Sequence, residues 1–217
     1  MWPTEDFSLL HAEDIFFSYQ GPPIISKLNF VVKSGEIVRV SGPNGTGKTT
    51  LMRLLATLLK PQSGHLFVES DGVKLNVYNH LIAYLAAESN GLFPSLDALG
   101  NLSFWADMAG LGLSDETLGQ ELSAWQLGNP LLRGFPVGRF STGMKRRLSM
   151  ARVALSRAPI WLLDEPLFGL DDRSIERVQH LIREHLSQGG IVVVVSHDMS
   201  LFDGLSYRDL ILESRVV

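Results

Sequence analysis

The stretch that most restricts how this chain can fold is GPNGTGKTT, residues Gly42 to Thr50. It fits the pattern G-x-x-x-x-G-K-[ST], which works only between a strand and a helix, because backbone N–H groups and a helix N-terminus must converge on one point. Both flanks meet that demand. EIVRVS, Glu36 to Ser41, reads as a strand, and Leu51, Leu54, Leu55, Leu58 and Leu59 give the next segment an apolar stripe that stops before Pro61. Such a loop cradles phosphates. Gly42, Pro43, Asn44, Gly45, Thr46, Gly47, Lys48, Thr49 and Thr50 are the expected contacts, with Lys48 reaching the terminal phosphates and Thr49 ligating Mg2+.

The rest of the chain supplies a matching scaffold. IWLLD and IVVVVS are nearly all-apolar strands separated by a helix that carries Ile175, Val178, Leu181 and Ile182. Strand, helix, strand in this style is the pattern of a parallel sheet covered on both faces. Up to about Ser34 the chain reads as short alternating strands, with Leu28, Phe30 and Val32 of LNFVV on one face. From about Ser95 to Ala158 the pattern turns helical, and Met144, Leu148, Ala151 and Leu155 share one helix face. The fold class is therefore α/β, one nucleotide-binding domain over residues 1–217 with a helical insertion at about 95–158.

Two strand ends bring acid and base to the phosphate loop's sheet. In IWLLDEP, Asp164 can hold Mg2+ through water and Glu165 can orient and deprotonate an attacking water. In VVSHD, His197 follows another buried strand, on the sheet edge where ligands of parallel sheets bind. His11, His65, His80, His180 and His185 are scattered, and the five-residue step from His180 to His185 does not pair them on one helical face. They receive no role. One segment is left over: GRFSTGMKRRLSMAR, Gly138 to Arg152, is a Ser-Thr-Gly turn running into a basic helix. Ser141 can be a plain N-cap there, or the helix N-terminus can be a second anion site.

Composition removes other classes. The net charge of −4 gives no support for a nucleic-acid partner. With no cysteine there is no disulfide, thiol chemistry or C-x-x-C-H haem attachment. The longest apolar run, Ile191 to Val195, is far short of a membrane span, and MWPTEDF lacks the features of a secretory signal. A cytosolic protein that reaches a membrane by docking on an integral partner is the expectation.

Together these motifs resemble the nucleotide-binding subunits of ATP-binding cassette (ABC) transporters over essentially the whole length. The resemblance implies a RecA-like P-loop core of ABC ATPase type, with an N-terminal antiparallel β subdomain and a helical insertion, that hydrolyses ATP with Mg2+. It implies that FSTGM is the signature loop, with Ser141 and Gly143 binding the γ-phosphate of ATP held by a second copy in a head-to-tail homodimer. It further implies adenine stacking on Tyr19, a γ-phosphate switch role for His197, and a dimer-crossing loop at FGLDD with Asp171 as its acid. The partner implied is an integral membrane permease, with the chain peripheral on the cytoplasmic face of the inner membrane. Glu88 stands where the family usually has a glutamine near Mg2+, Phe168 where a serine is common, and Met144 where a glutamine is usual. Within the family, NLSFWA, APIWLLDEPLFGLDD and HLSQGGIVVVVSH are most similar to the ATP-binding subunits of cytochrome c maturation systems, the haem exporter ATPases. Nothing in the chain is patterned to hold haem itself, so no direct haem binding is expected. A soluble non-transport ABC ATPase, or the ATPase of a transporter for another substrate, is the alternative. A P-loop GTPase is disfavoured by the absence of an N-K-x-D motif.

Overall fold

The computed structural model describes residues 7–76, 78–87 and 91–213. In chain order the first elements are β1 (Phe7–Phe17), β2 (Ile25–Lys33), β3 (Ile37–Ser41), α1 (Lys48–Leu55), β4 (Ser63–Ser70), β5 (Val73–Leu75) and β6 (Ile82–Leu85). Then come α2 (Ala98–Met108), α3 (Asp115–Ala124), α4 (Thr142–Leu155), β7 (Ile160–Asp164), α5 (Asp172–Ser187), β8 (Ile191–Val195) and β9 (Arg208–Ile211).

An antiparallel sheet has the strand order β2-β1-β4-β5. Its two longest strands pair with Leu10 opposite Val32 and Ala12 opposite Phe30. The register then slips at Asp14, which takes a φ of 50°. Asn29 pins this bulge by accepting from the Asp14 N–H and donating to the Asp14 carboxylate, both at 2.8 Å. The second sheet has the order β6-β7-β8-β3-β9, with the β7–β8, β8–β3 and β3–β9 pairs parallel. Every residue of β7 and β8 is buried, as strands covered on both faces require. Alternation survives inside that burial. Val38, Val40, Leu162 and Val193 join the core cluster with Leu51, Leu54 and Leu55 of α1 and Leu10, Ile15 and Val32 of the antiparallel sheet.

The apolar stripe after the phosphate loop is shorter than its spacing suggests. Helix α1 stops at Leu55, and Leu58 is 63% exposed. The Leu58 N–H bonds to the Arg53 carbonyl and the Thr57 N–H to that of Leu54, with Thr57 at φ 58°. This is a Schellman ending, with a threonine where glycine is commoner. It turns the chain toward β4, and Leu59 packs partly buried against the core while Leu58 does not.

The chain divides into two compact units: residues 1–84, 158–165 and 182–217, and residues 85–157 with 166–181. In the second, Asp97 N-caps α2 by accepting from Gly100, and fully buried Asn101 ties down the preceding loop through bonds with Phe93 and Asp97. Buried Trp125 donates to Glu121 at 2.7 Å, and Arg177 both pairs with Glu121 and lies over the Trp125 ring. Among the described residues no helix is long and apolar enough to cross a membrane.

Candidate functional site

The phosphate loop leaves β3 at Gly42 and enters α1 at Lys48. Two of its glycines are required by geometry. A Cβ on Gly42 (φ 139°) would sit 2.2 Å from the Leu212 carbonyl oxygen, and one on Gly47 (φ 96°) would sit 2.5 Å from Ile24 Cγ2. Gly47 is also the N-cap of α1 and offers no side chain to its first-turn N–H groups, so those donors point outward without a side-chain acceptor. Lys48 Nζ folds onto its own loop, donating to the Gly42 carbonyl at 2.7 Å and the Pro43 carbonyl at 2.9 Å. Thr46 braces the same turn by donating to Pro43, Asn44 and Gly45 are exposed, and Thr50 is buried behind the loop. Tyr19 lies in a bend just past β1 and is half-exposed, its ring edge-on to Phe17.

At the end of β7, Asp164 is buried and accepts from the Thr49 hydroxyl at 3.1 Å. A hydroxyl and a carboxylate at this spacing are the hard oxygen donors that Mg2+ takes. Among the described residues no group of three or more His, Cys, Asp or Glu side chains forms a metal cluster. A cation here would complete its shell with water and phosphate oxygens, which suits Mg2+ better than a metal needing a full protein cage. Glu88 lies outside the described residues.

Glu165 follows with a φ of 50°, a left-handed conformation unusual for a residue with a long side chain. Its N–H bonds to the Val195 carbonyl at 2.8 Å, which fixes the turn to the end of β8. The carboxylate meets the His197 N–H at 3.4 Å and His197 Nε2 at 3.6 Å. Burial raises the Glu165 pKa most, and the neighbouring Asp164 charge adds to the rise; the His197 N–H, the His197 ring and Lys48 pull it back. The net rise makes this carboxylate a better proton acceptor than an ordinary glutamate near neutral pH. Gly42, Lys48, Ser196 and His197 line a cavity of about 230 Å3, together with Arg39 and Ser41.

The other anticipated anion site is finished differently. Ser141 N-caps α4, its Oγ accepting from the Met144 N–H at 3.2 Å. A Cβ on Gly143 would sit 2.4 Å from the Gly169 carbonyl oxygen, so the glycine is needed for packing within its own unit. Asp171 caps α5 by accepting from the Ser174 N–H, and bonds from Ser174 hold its pKa low. Phe168 is 64% exposed.

The structure gives weight to several residues that motif and spacing leave without a role. His185, assigned no role, is in fact a core residue: it is buried, stacked on Trp161 at 4.1 Å, and its pKa is pushed down to about 4 by burial. His11 likewise stacks on Phe67. His65, His80 and His180 are exposed. Arg39 interrupts the apolar strand IVRVS, which is a readable sign. It pairs with Asp209 at 2.7 Å beside the cavity. Arg146 and Arg152 of α4 are buried cations that spacing alone did not distinguish from a solvated basic face.

The ABC transporter family model matches residues 25–168. The "cytochrome c biogenesis ATP-binding export protein CcmA" of Brucella abortus is 35% identical over 195 residues, 90% of this chain and 88% of the relative. A solved ATP-binding subunit of an ABC transporter superposes with a TM-score of 0.79 at 25% identity, over 96% of this chain and 89% of that one. A dimeric ATP-binding cassette in a post-hydrolysis state, bound to ADP and Pi, gives a TM-score of 0.78 at 23% identity, covering 95% and 97%.

Proposed function

The chain belongs to the ABC transporter family, and from that premise we propose that it is the ATP-hydrolysing motor of a membrane complex serving cytochrome c biogenesis. The observation that carries the chemistry is the grouping of Lys48, Thr49, Asp164, Glu165 and His197 around one loop. ATP phosphates enter the uncapped turn of α1, and Lys48 exchanges its two loop carbonyls for phosphate oxygens. Adenine stacks on Tyr19. Thr49 and Asp164 would hold Mg2+, with Glu88 as a further acid near it, and a bound ion would supply positive charge to offset that of the phosphates. Glu165 takes a proton from water, the water oxygen forms a bond to the γ-phosphorus, and the bond from that phosphorus to the β–γ bridging oxygen breaks to leave ADP. His197 contacts the γ-phosphate beside the base.

The reading of Ser141 and Gly143 is that they complete the nucleotide site of a second copy in a head-to-tail homodimer. Two-fold symmetry then gives two composite sites. The capped turn at Ser141, which has no acid or metal ligand of its own assigned, supports a contact role of this kind. ATP-driven closure would work an integral permease from the cytoplasmic face, and an export role in cytochrome c biogenesis is read from the CcmA likeness. This subunit itself holds no haem in our reading. The test is Glu165→Gln. It should retain ATP, accumulate an ATP-bound dimer on size exclusion, and fail to support holo-cytochrome c formation in cells lacking the native protein. Normal holo-cytochrome c with that variant would remove the cytochrome assignment, and a stoichiometric Soret band on the purified subunit would remove the purely mechanical role.

A further inference from the structure

Helix α4 carries two buried arginines that face inward rather than to solvent. Arg146, 2% exposed, spends its guanidinium fork on two consecutive backbone carbonyls: Nη1 donates to Ala86 at 3.0 Å and Nη2 to Ala87 at 2.9 Å. About two turns further along the helix, the Arg152 guanidinium lies 4.9 Å from the Trp105 ring centre and packs against Gly91. Trp105 closes that contact by donating its indole N–H to the Gly91 carbonyl at 2.9 Å. The same helix therefore grips the chain at 86–87 and again at 91. A planar fork on adjacent carbonyls fixes both position and direction, as a single ammonium cannot. Arg146 sits about one turn beyond Ser141, with the capped first turn of α4 between them.

We propose that Arg146 is a positioning residue which transmits a displacement of the α4 N-terminus to the backbone at Ala86 and Ala87. This inference rests on the reading that Ser141 meets the γ-phosphate of a second copy. Anion binding at Ser141 restrains α4, and the Arg146 fork carries that restraint to the carbonyls it holds. Arg152 and Trp105 hold the far flank, at Gly91, to the same helix. Residues 86–87 and 91 then report nucleotide bound by the other copy.

Amide hydrogen exchange in the Glu165→Gln background, with and without MgATP, tests this. With Arg146 intact, ATP should slow exchange about tenfold at Met144 and Lys145 and also at Ala86 and Ala87. In Arg146→Met, which keeps the side chain's bulk without its donors, the slowing at 144–145 should remain and that at 86–87 should be lost. Arg146→Lys, the gentler change, should give an intermediate response and serves as the test if the methionine variant does not fold. Equal slowing at 86–87 with and without the arginine fork would overturn the inference while leaving the composite site intact. No slowing at 144–145 in any form would remove the composite-site reading, and this inference with it.

Discussion

Helices α1 and α4 both start from loops rich in glycine and hydroxyl groups, yet their first turns are finished in opposite ways. At α1 the N-cap is Gly47 in a left-handed conformation with no side-chain acceptor. A lysine, a threonine paired with a buried aspartate, and a glutamate of raised pKa surround that turn. At α4 the cap is Ser141, which satisfies Met144, and the neighbouring glycine is committed to Gly169. An uncapped turn among a cation and acids is equipped to bind and react. A capped turn with no acid–base pair of its own can add a contact to chemistry that happens elsewhere. Substitutions at the two turns should therefore fail differently.

The largest effect belongs to α1's surroundings. Glu165→Gln should lower turnover by roughly a hundredfold or more while ATP affinity in a filter or fluorescence assay holds; unchanged turnover would strip Glu165 of its role. Thr49→Val removes one hard ligand and should raise the Mg2+ concentration for half-maximal activity about tenfold, read from a Mg2+ titration at fixed ATP. At α4, Ser141→Ala removes a cap worth about 1 kcal/mol and should lower the thermal midpoint slightly. It should leave nucleotide affinity of the single chain unaltered, and a loss of affinity equal to that of a phosphate-loop variant would erase the distinction between the two turns.

The pH profile separates the turns further. Because the Glu165 pKa is raised, activity should fall as pH drops through that raised value, and His197→Ala should move the acid limb upward by removing the ring charge that lowers it, while the backbone N–H of residue 197 stays in place. An acid limb that does not move would show that another group sets it. Stability has its own limb, from His185. Its pKa is about 4 when folded against an ordinary 6.5, so the unfolded chain gains the proton first as pH falls. Stability is fully present above pH 6.5, is lost through the window down to about 4, and that loss totals roughly 3 kcal/mol. His185→Phe should flatten the midpoint-against-pH curve over this window with the smallest effect on turnover of all these changes. A curve as steep as the unaltered protein's would assign the acid sensitivity elsewhere.

How much of this was legible beforehand follows from range. GPNGTGKTT, IWLLD and IVVVV announce themselves because a tight turn and fully buried strands are local demands written in consecutive residues. The end of α1 is hidden in the sequence because Leu58 and Leu59 keep the apolar spacing while Thr57 reverses the backbone, and threonine does not advertise a left-handed cap. The cap at Ser141 was readable from its place before a helix; the Gly143–Gly169 contact was not. His185 on Trp161 and Arg146 on Ala86 join residues distant in sequence, and only the folded chain brings them together.

The claim that the α4 turn serves a nucleotide held by a second copy is tested most directly by mixing two inactive forms. Ser141→Arg spoils the contact turn and leaves the phosphate loop whole; Lys48→Ala does the reverse. Random pairing puts half the dimers in mixed form, each with one of two composite sites intact, so the mixture should recover about one quarter of normal hydrolysis where either form alone shows almost none. A mixture no more active than its separate components, or a Ser141→Arg protein that hydrolyses ATP at the normal rate by itself, would contradict the composite site.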